Sequence, residues 1–220
     1  MIEAVIFDLD GVIVDSEPLW TKGEQEIFRT VGLDLTDEMC ELTKGFDIRD
    51  TVNFWYNRIP WNSKNLKQVE QEILETVTEL IVSKGTPIDG MMETLHFFQD
   101  KGISTAVASG SPFELINPVL EKFGIKNAFK AIRSCDGEKF PKPHPAIYIS
   151  TAKILEADPL NCIVFEDTFT GLLAAKAARM KAIALLENDD KFNNPKFEFT
   201  DVKIRSFSEF DEQLFQQLNS

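Results

Sequence analysis

The sequence predicts an α/β protein: a parallel sheet covered on both faces by helices, with a helical insert after the first strand. Three observations carry this. Short apolar runs recur at 4–7, 104–108, 162–165 and 182–185, as expected of strands buried on both faces. Helical patterns separate the later runs, so strands alternate with helices. Residues 15–85 hold no comparable run and carry helical signals instead.

The elements follow in order. After the first strand, Ser16 reads as an N-cap and Pro18 sits in the first turn of a helix running to about Val31. A second helix is expected over about 66–82, where apolar residues fall at 66, 69, 73, 77, 80 and 81, a 3.6-residue rhythm. The stretch SKGTPIDG, 83–90, reads as the return linker. A discontinuous α/β domain is therefore expected, residues 1–14 plus 86–220, interrupted by a helical domain, 15–85. Beyond the linker, 90–101 reads as a helix closed by Gly102, and 112–123 as one closed by Gly124 with Pro118 inside it. Residues 145–155 and 168–180 read as two more.

Composition narrows the function. The 220 residues are 43% hydrophobic and 27% charged, enough for a proper core. The formal net charge of -13 argues against a nucleic-acid or anionic-membrane partner. An anionic small substrate stays compatible, because one metal ion, one Lys and backbone N–H groups can overrule the global field. Cys40, Cys135 and Cys162 form no CxxC and read as reduced thiols of a cytoplasmic protein. Glu3 and Asp8 stand where a signal peptide needs a basic start and an apolar stretch. No run approaches the roughly 18 apolar residues of a membrane span. With no heptad or repeat, a monomer is expected.

In a parallel sheet, ligands bind beyond the carboxyl ends of the strands. The first strand delivers Asp8 and Asp10, TAVASGSP delivers Ser109, Gly110 and Ser111, and CIVFEDTFTG delivers Glu166 and Asp167. Lys142 stands between two prolines in KFPKPHP. Crowded carboxylates cannot all stay ionised without a partner. A divalent cation supplies one, and an all-oxygen set suits Mg²⁺. Ser109 and Gly110 precede a helix, where free N–H groups favour a phosphate, and Lys142 would neutralise it as a point charge. The chemistry this assembles is phosphoryl transfer: an anion cradle, a carboxylate nucleophile and a second carboxylate to move a proton.

The successive segments FDLDGVIVDSEP, VASGS, KPHP and FED resemble the motifs of the haloacid dehalogenase superfamily, in the branch with a helical cap after the first strand. That resemblance spans the chain. It implies a Rossmann-like core and a four-helix-bundle-like cap. More narrowly, DSEPLW, FWYNRIPWN, KPHPAIY and EDTFTGLLAAKAARM resemble bacterial sugar phosphatases acting on 2-deoxyglucose 6-phosphate and hexitol phosphates. The resemblance implies Asp8 as nucleophile, forming an aspartyl-phosphate, and Asp10 as the acid that protonates the leaving oxygen and then activates water. It implies Mg²⁺ on Asp8, the Asp10 carbonyl and Asp167, with Glu166 at or behind the metal. Ser109, Gly110 and Lys142 would hold the phosphoryl group. In the cap, Trp20, Arg49 and Lys44 are candidate substrate contacts, while His144 and His96 read as structural.

A β-phosphoglucomutase would share the nucleophile, but the cap His expected four residues after the first linker's Ser is Trp20 here, which favours hydrolysis. Asp47 stands where those relatives commonly carry a basic residue, which leaves the specific sugar open. A dinucleotide-binding module would need GxGxxG in the first turn, and it is absent. Dehalogenation would need neither Asp10 nor Asp167. The cap is expected to open and close about hinges near Asp15 and Gly85–Thr86.

Overall fold

The computed structural model of the chain describes residues 1–219. The polypeptide divides into two compact units, Met1–Val14 with Pro87 onward, and Asp15–Thr86. The first strand, β1, is Ala4–Phe7 and is buried throughout.

The helical unit follows it. Helices α1 (Glu17–Thr30), α2 (Asp37–Cys40), α3 (Ile48–Arg58) and α4 (Leu66–Lys84) make it up. The packing stripe of α4, Val69, Ile73, Val77 and Ile81, is buried and lies against α1, whose inward residues are Gly23, Ile27 and Phe28. Aromatic side chains close this core: Trp61 meets Phe28 edge-on at 5.9 Å and Tyr56 at 5.0 Å. Ser16 holds the N-cap position of α1 but makes no side-chain capping bond. The caps that do form are Thr36 on α2, Asp47 on α3 and a reciprocal Asn65–Gln68 box on α4. Asp47 thus has a structural use, its carboxylate accepting from the Asp50 N–H at 2.7 Å. The sequence patterns did not single out α2 and α3: α2 has four residues, and α3 buries only Thr51, Val52 and Trp55.

In the core unit, α5 (Met91–Asp100) leads to β2 (Ser104–Ser109), α6 (Phe113–Lys122) and β3 (Ala131–Ser134). Then come α7 (Ala146–Leu155), β4 (Cys162–Glu166), α8 (Phe169–Ala177), β5 (Lys181–Leu185), α9 (Asp189–Phe192), β6 (Val202–Ile204) and α10 (Glu212–Asn219). The six strands are all parallel in the order β3-β2-β1-β4-β5-β6. Strand order reverses between β1 and β4, the topological switch point of a doubly wound sheet.

Each sheet face is covered. On one, Phe7 stacks on Phe165 at 5.2 Å, and Phe98, Phe207 and Phe210 enclose the pair. On the other, Ile6, Ala106 and Val164 pack with Tyr148 of α7 and Leu172 of α8. Strands β3 and β6 were not expected. They are sheet edges of four and three residues, each with a charged residue inside, too short and too polar to read as apolar runs. Helix α6 continues through Pro118. Helix α8 closes three residues before the expected 180, because Arg179 turns left-handed and the Met180 N–H returns to the Ala175 carbonyl.

Candidate active site

The site is built where β1 and β4 end side by side. Asp8 follows Phe7 directly, and its N–H donates to the Phe165 carbonyl at 3.0 Å, so the ladder continues one residue past the strand. The chain then curls back in a tight loop, with the Ile13 and Val14 N–H groups donating to the Leu9 carbonyl. Leu9, Val12, Ile13 and Val14 are buried in that loop, which fixes Asp8 and Asp10 on a rigid base. Gly11 makes the turn at φ +72°, and a Cβ there would lie 2.6 Å from Asp167 Oδ2. Glycine is needed on both counts.

Lys142 joins these carboxylates across the chain. Its ammonium donates to Asp8 Oδ1 at 2.8 Å and to Glu166 Oε1 at 2.7 Å, with the side chain only 9% exposed. Tyr148, fully buried, lies beneath it with its ring centroid 5.1 Å from Nζ. Burial alone would discharge Lys142, but the Asp8 and Glu166 carboxylates override it and hold the group well above the usual lysine range.

Glu166, wholly buried at the end of β4, is committed to several partners. Besides Lys142, its Oε2 accepts from the Thr168 N–H and hydroxyl, both at 2.8 Å. A Cβ on Gly171 would fall inside the Glu166 carboxylate, so the first turn of α8 closes onto it only because residue 171 is glycine.

Ser109, at the end of β2, is 1% exposed and its Oγ accepts from the Ser111 N–H at 3.0 Å. Gly110 beside it is exposed. The hydroxyl of Ser111 donates to Asp10 Oδ2 at 2.6 Å. Sequence patterns do not show the Ser111 contact, which joins residues 101 apart, or the packing of Tyr148 under Lys142, which depends on how α7 folds against the site.

Electrostatics of the cluster favour a cation. Asp8, Glu166 and Asp167 bring one oxygen each within 4.8 Å of one another, and the Lys142 ammonium contacts Asp8 and Glu166. Burial pushes the Asp8 carboxyl up, with Glu166 and Asp10 adding to the push and Lys142 opposing it. Burial also pushes Asp167 up to about 7, and the neighbouring Glu166 charge adds to it. Asp167 Oδ1 is buried with no hydrogen-bond partner, while Oδ2 lies 3.8 Å from Lys191 Nζ. A buried acceptor left open beside two further carboxylates fits a hard divalent cation with oxygen ligands. The Asp10 carboxylate is not one of the three.

Other expected residues belong to other elements. Trp20, half-buried on α1, and Arg49, exposed on α3, belong to the helical unit. Lys44 there pairs with Glu17 and Glu41. His144 is exposed, 5.0 Å from the Phe140 ring, and its Nδ1 accepts from the Ala146 N–H. All three cysteines are free and buried. Burial raises the Cys162 thiol to about 12 and Cys40 to about 11, with nearby carboxylates adding to it. Among the described residues, no helix is long and apolar enough to cross a membrane.

Known proteins share this arrangement of sequence and fold. The chain is 34% identical to hexitol phosphatase B of Escherichia coli (strain K12) over 208 residues, 94% of this chain and 93% of that protein. It is 30% identical to a phosphorylated carbohydrates phosphatase of Thermotoga maritima over 184 residues, 82% and 83% of the two chains. Its fold matches the crystal structure of β-phosphoglucomutase from Clostridium difficile with a TM-score of 0.83 at 26% identity, covering 99% of this chain and 97% of that one. Residues 5–185, from β1 to the end of β5, match the family model of the haloacid dehalogenase-like hydrolases, and with its strand-end carboxylates and buried lysine the chain belongs to that family.

Proposed function

We propose that this protein is a Mg²⁺-dependent phosphatase that hydrolyses small sugar phosphates, hexose or hexitol phosphates, through an aspartyl-phosphate on Asp8. The observation that carries the reading is the contact of Asp8 with the Lys142 ammonium at 2.8 Å, at the mouth of β1 and beside Asp167. Likeness to a hexitol phosphatase over nearly the whole chain supports the substrate class.

In the first step an Asp8 oxygen attacks phosphorus while the bond from phosphorus to the sugar oxygen breaks. Asp10 gives its proton to that leaving oxygen. In the second step Asp10, now a carboxylate, takes a proton from water, and the water oxygen displaces Asp8 from phosphorus. A positioned acid and base of this kind contributes about 10²–10⁴-fold. Ser109 and the Gly110 backbone, in the turn between β2 and α6, would face the phosphoryl oxygens, and Lys142 would hold them by charge. Glu166 acts through Lys142, keeping it charged and aimed at Asp8. Asp8, Asp167 and the Asp10 carbonyl would hold Mg²⁺, which when bound offsets phosphoryl charge.

Phosphate release from hexose 6-phosphates, hexitol phosphates and β-glucose 1-phosphate tests this, each with Mg²⁺, with chelator and with Asp8→Asn. Release that needs Mg²⁺ and falls to background in the variant is expected. The second reading is a mutase, favoured by the likeness to β-phosphoglucomutase. Conversion of β-glucose 1-phosphate to glucose 6-phosphate without phosphate release would establish it. Trp20, where a mutase cap carries His, is the reason hydrolysis is preferred.

A further inference from the structure

Asp10 sits in the loop after β1 and is half-buried. Its short side chain must present one carboxyl oxygen to the leaving group within hydrogen-bond reach, about 2.6–3.2 Å. A displacement of roughly 1 Å is enough to cost on the order of 10²-fold. Ser111 is built to fix that side chain. Its Oγ donates to Asp10 Oδ2 at 2.6 Å, within the normal range for a hydroxyl-to-oxygen bond.

The serine is in turn held by both neighbouring strand ends. Its N–H donates to Ser109 Oγ at 3.0 Å, and its carbonyl accepts from Ser134 Oγ at 2.7 Å. Ser134 is wholly buried at the end of β3, is the register partner of Ser109, and accepts from the Asp136 N–H at 3.1 Å. Three serines therefore link the ends of β2 and β3 to Asp10, with every hydroxyl engaged. Only one of them, Ser109, belongs to the phosphate cradle.

We infer that Ser111 is a positioning residue for Asp10, anchored by Ser134, and that it governs proton delivery to the leaving sugar oxygen. The inference rests on the phosphatase reading, in which Asp10 is the acid. An alkyl phosphate needs that proton, whereas p-nitrophenyl phosphate expels a stabilised phenolate without it. The experiment measures kcat/KM, which covers steps up to leaving-group departure, for a hexitol phosphate and for p-nitrophenyl phosphate. The chains compared are wild type, Asp10→Asn, Ser111→Ala, Ser111→Thr and Ser134→Ala.

Ser111→Ala is expected to lower the alkyl-to-aryl ratio of kcat/KM by about tenfold, the worth of one positioned hydrogen bond. Ser111→Thr, which keeps the hydroxyl, restores the ratio to within about threefold, an allowance of under 1 kcal/mol at about 1.4 per tenfold. Ser134→Ala shifts it the same way by less. An equal fall for both substrates in Ser111→Ala, or no fall, would overturn the inference; thermal melts of each variant separate an equal fall due to unfolding, and then Ser111→Thr and Ser134→Ala decide. Asp10→Asn serves as the control on the underlying reading. If it lowers both substrates equally, Asp10 is not the acid and the phosphatase mechanism itself falls. If it shifts the ratio while Ser111→Ala does not, only the role of Ser111 falls.

Discussion

At the scale of single residues, the site is a problem of charge balance under burial. Lys142 is the ammonium that contacts two buried carboxylates. Removing one partner of such an arrangement is costly because the others remain, by about 3–5 kcal/mol. Lys142→Ala is therefore expected to lose that much stability in urea unfolding and to abolish phosphate release. Lys142→Met should lose as much, since it restores volume but not charge. Asp167 gives a prediction with a pH sign. Its folded carboxyl is raised from 3.8 to about 7, so the folded state binds a proton the unfolded state has released. Stability in chelator falls as pH rises from about 4 towards 7, and the penalty is full above that. Asp167→Asn should raise the melting temperature in chelator at pH 8 and leave it unchanged near pH 4. Comparing wild type with Asp167→Asn across pH isolates this group from the rest of the acidic surface.

At the scale of elements, the strands differ in how plainly they announce themselves. Strands β1, β2, β4 and β5 are buried on both faces and read as apolar runs, so Asp8, Ser109, Glu166 and Asp167 could be placed at their ends from sequence. Strands β3 and β6, with Arg133 and Lys203 in four- and three-residue edges, carry no such signature. Losing β3 from the sequence reading also hid Ser134, and with it the hold on Ser111. Those hydrogen bonds join positions 23 and 101 residues apart, a separation that no local pattern encodes. Helix α8 offers the test at this scale. Its first turn touches the Glu166 carboxylate through Gly171, and Thr168 caps it while also donating to Glu166. Gly171→Ala improves intrinsic helix propensity by about 1 kcal/mol but drives a methyl into that carboxylate. A net loss of stability and of activity is expected. A more stable, fully active variant would show that the helix can shift at no cost.

For the whole molecule, the relevant quantity is a net charge of -13 around a buried acidic trio. General screening and site binding make different predictions. Salt relieves self-repulsion whatever the ion, whereas a bound cation stabilises by RT ln(1 + [L]/Kd), about 2.7 kcal/mol at a hundredfold excess over Kd. For a chain of this size each kcal/mol moves the melting temperature by roughly 2–4 °C. Mg²⁺ is thus expected to raise it by about 5–11 °C beyond NaCl of equal ionic strength, and Asp167→Asn should remove the difference. Equal shifts from the two salts would leave the trio without a cation.

The aromatic residues are unevenly shared between the two units. All three tryptophans, Trp20, Trp55 and Trp61, fall within Asp15–Thr86, while the other unit packs its sheet with phenylalanine and Tyr148. Emission excited at the red edge of indole absorption therefore reports on the helical unit alone, whereas far-ultraviolet circular dichroism sums over both. The chain carries its own optical label on one half, with no dye or mutation needed. Denaturant titrations read by the two signals will separate if the units melt independently and coincide if they melt as one.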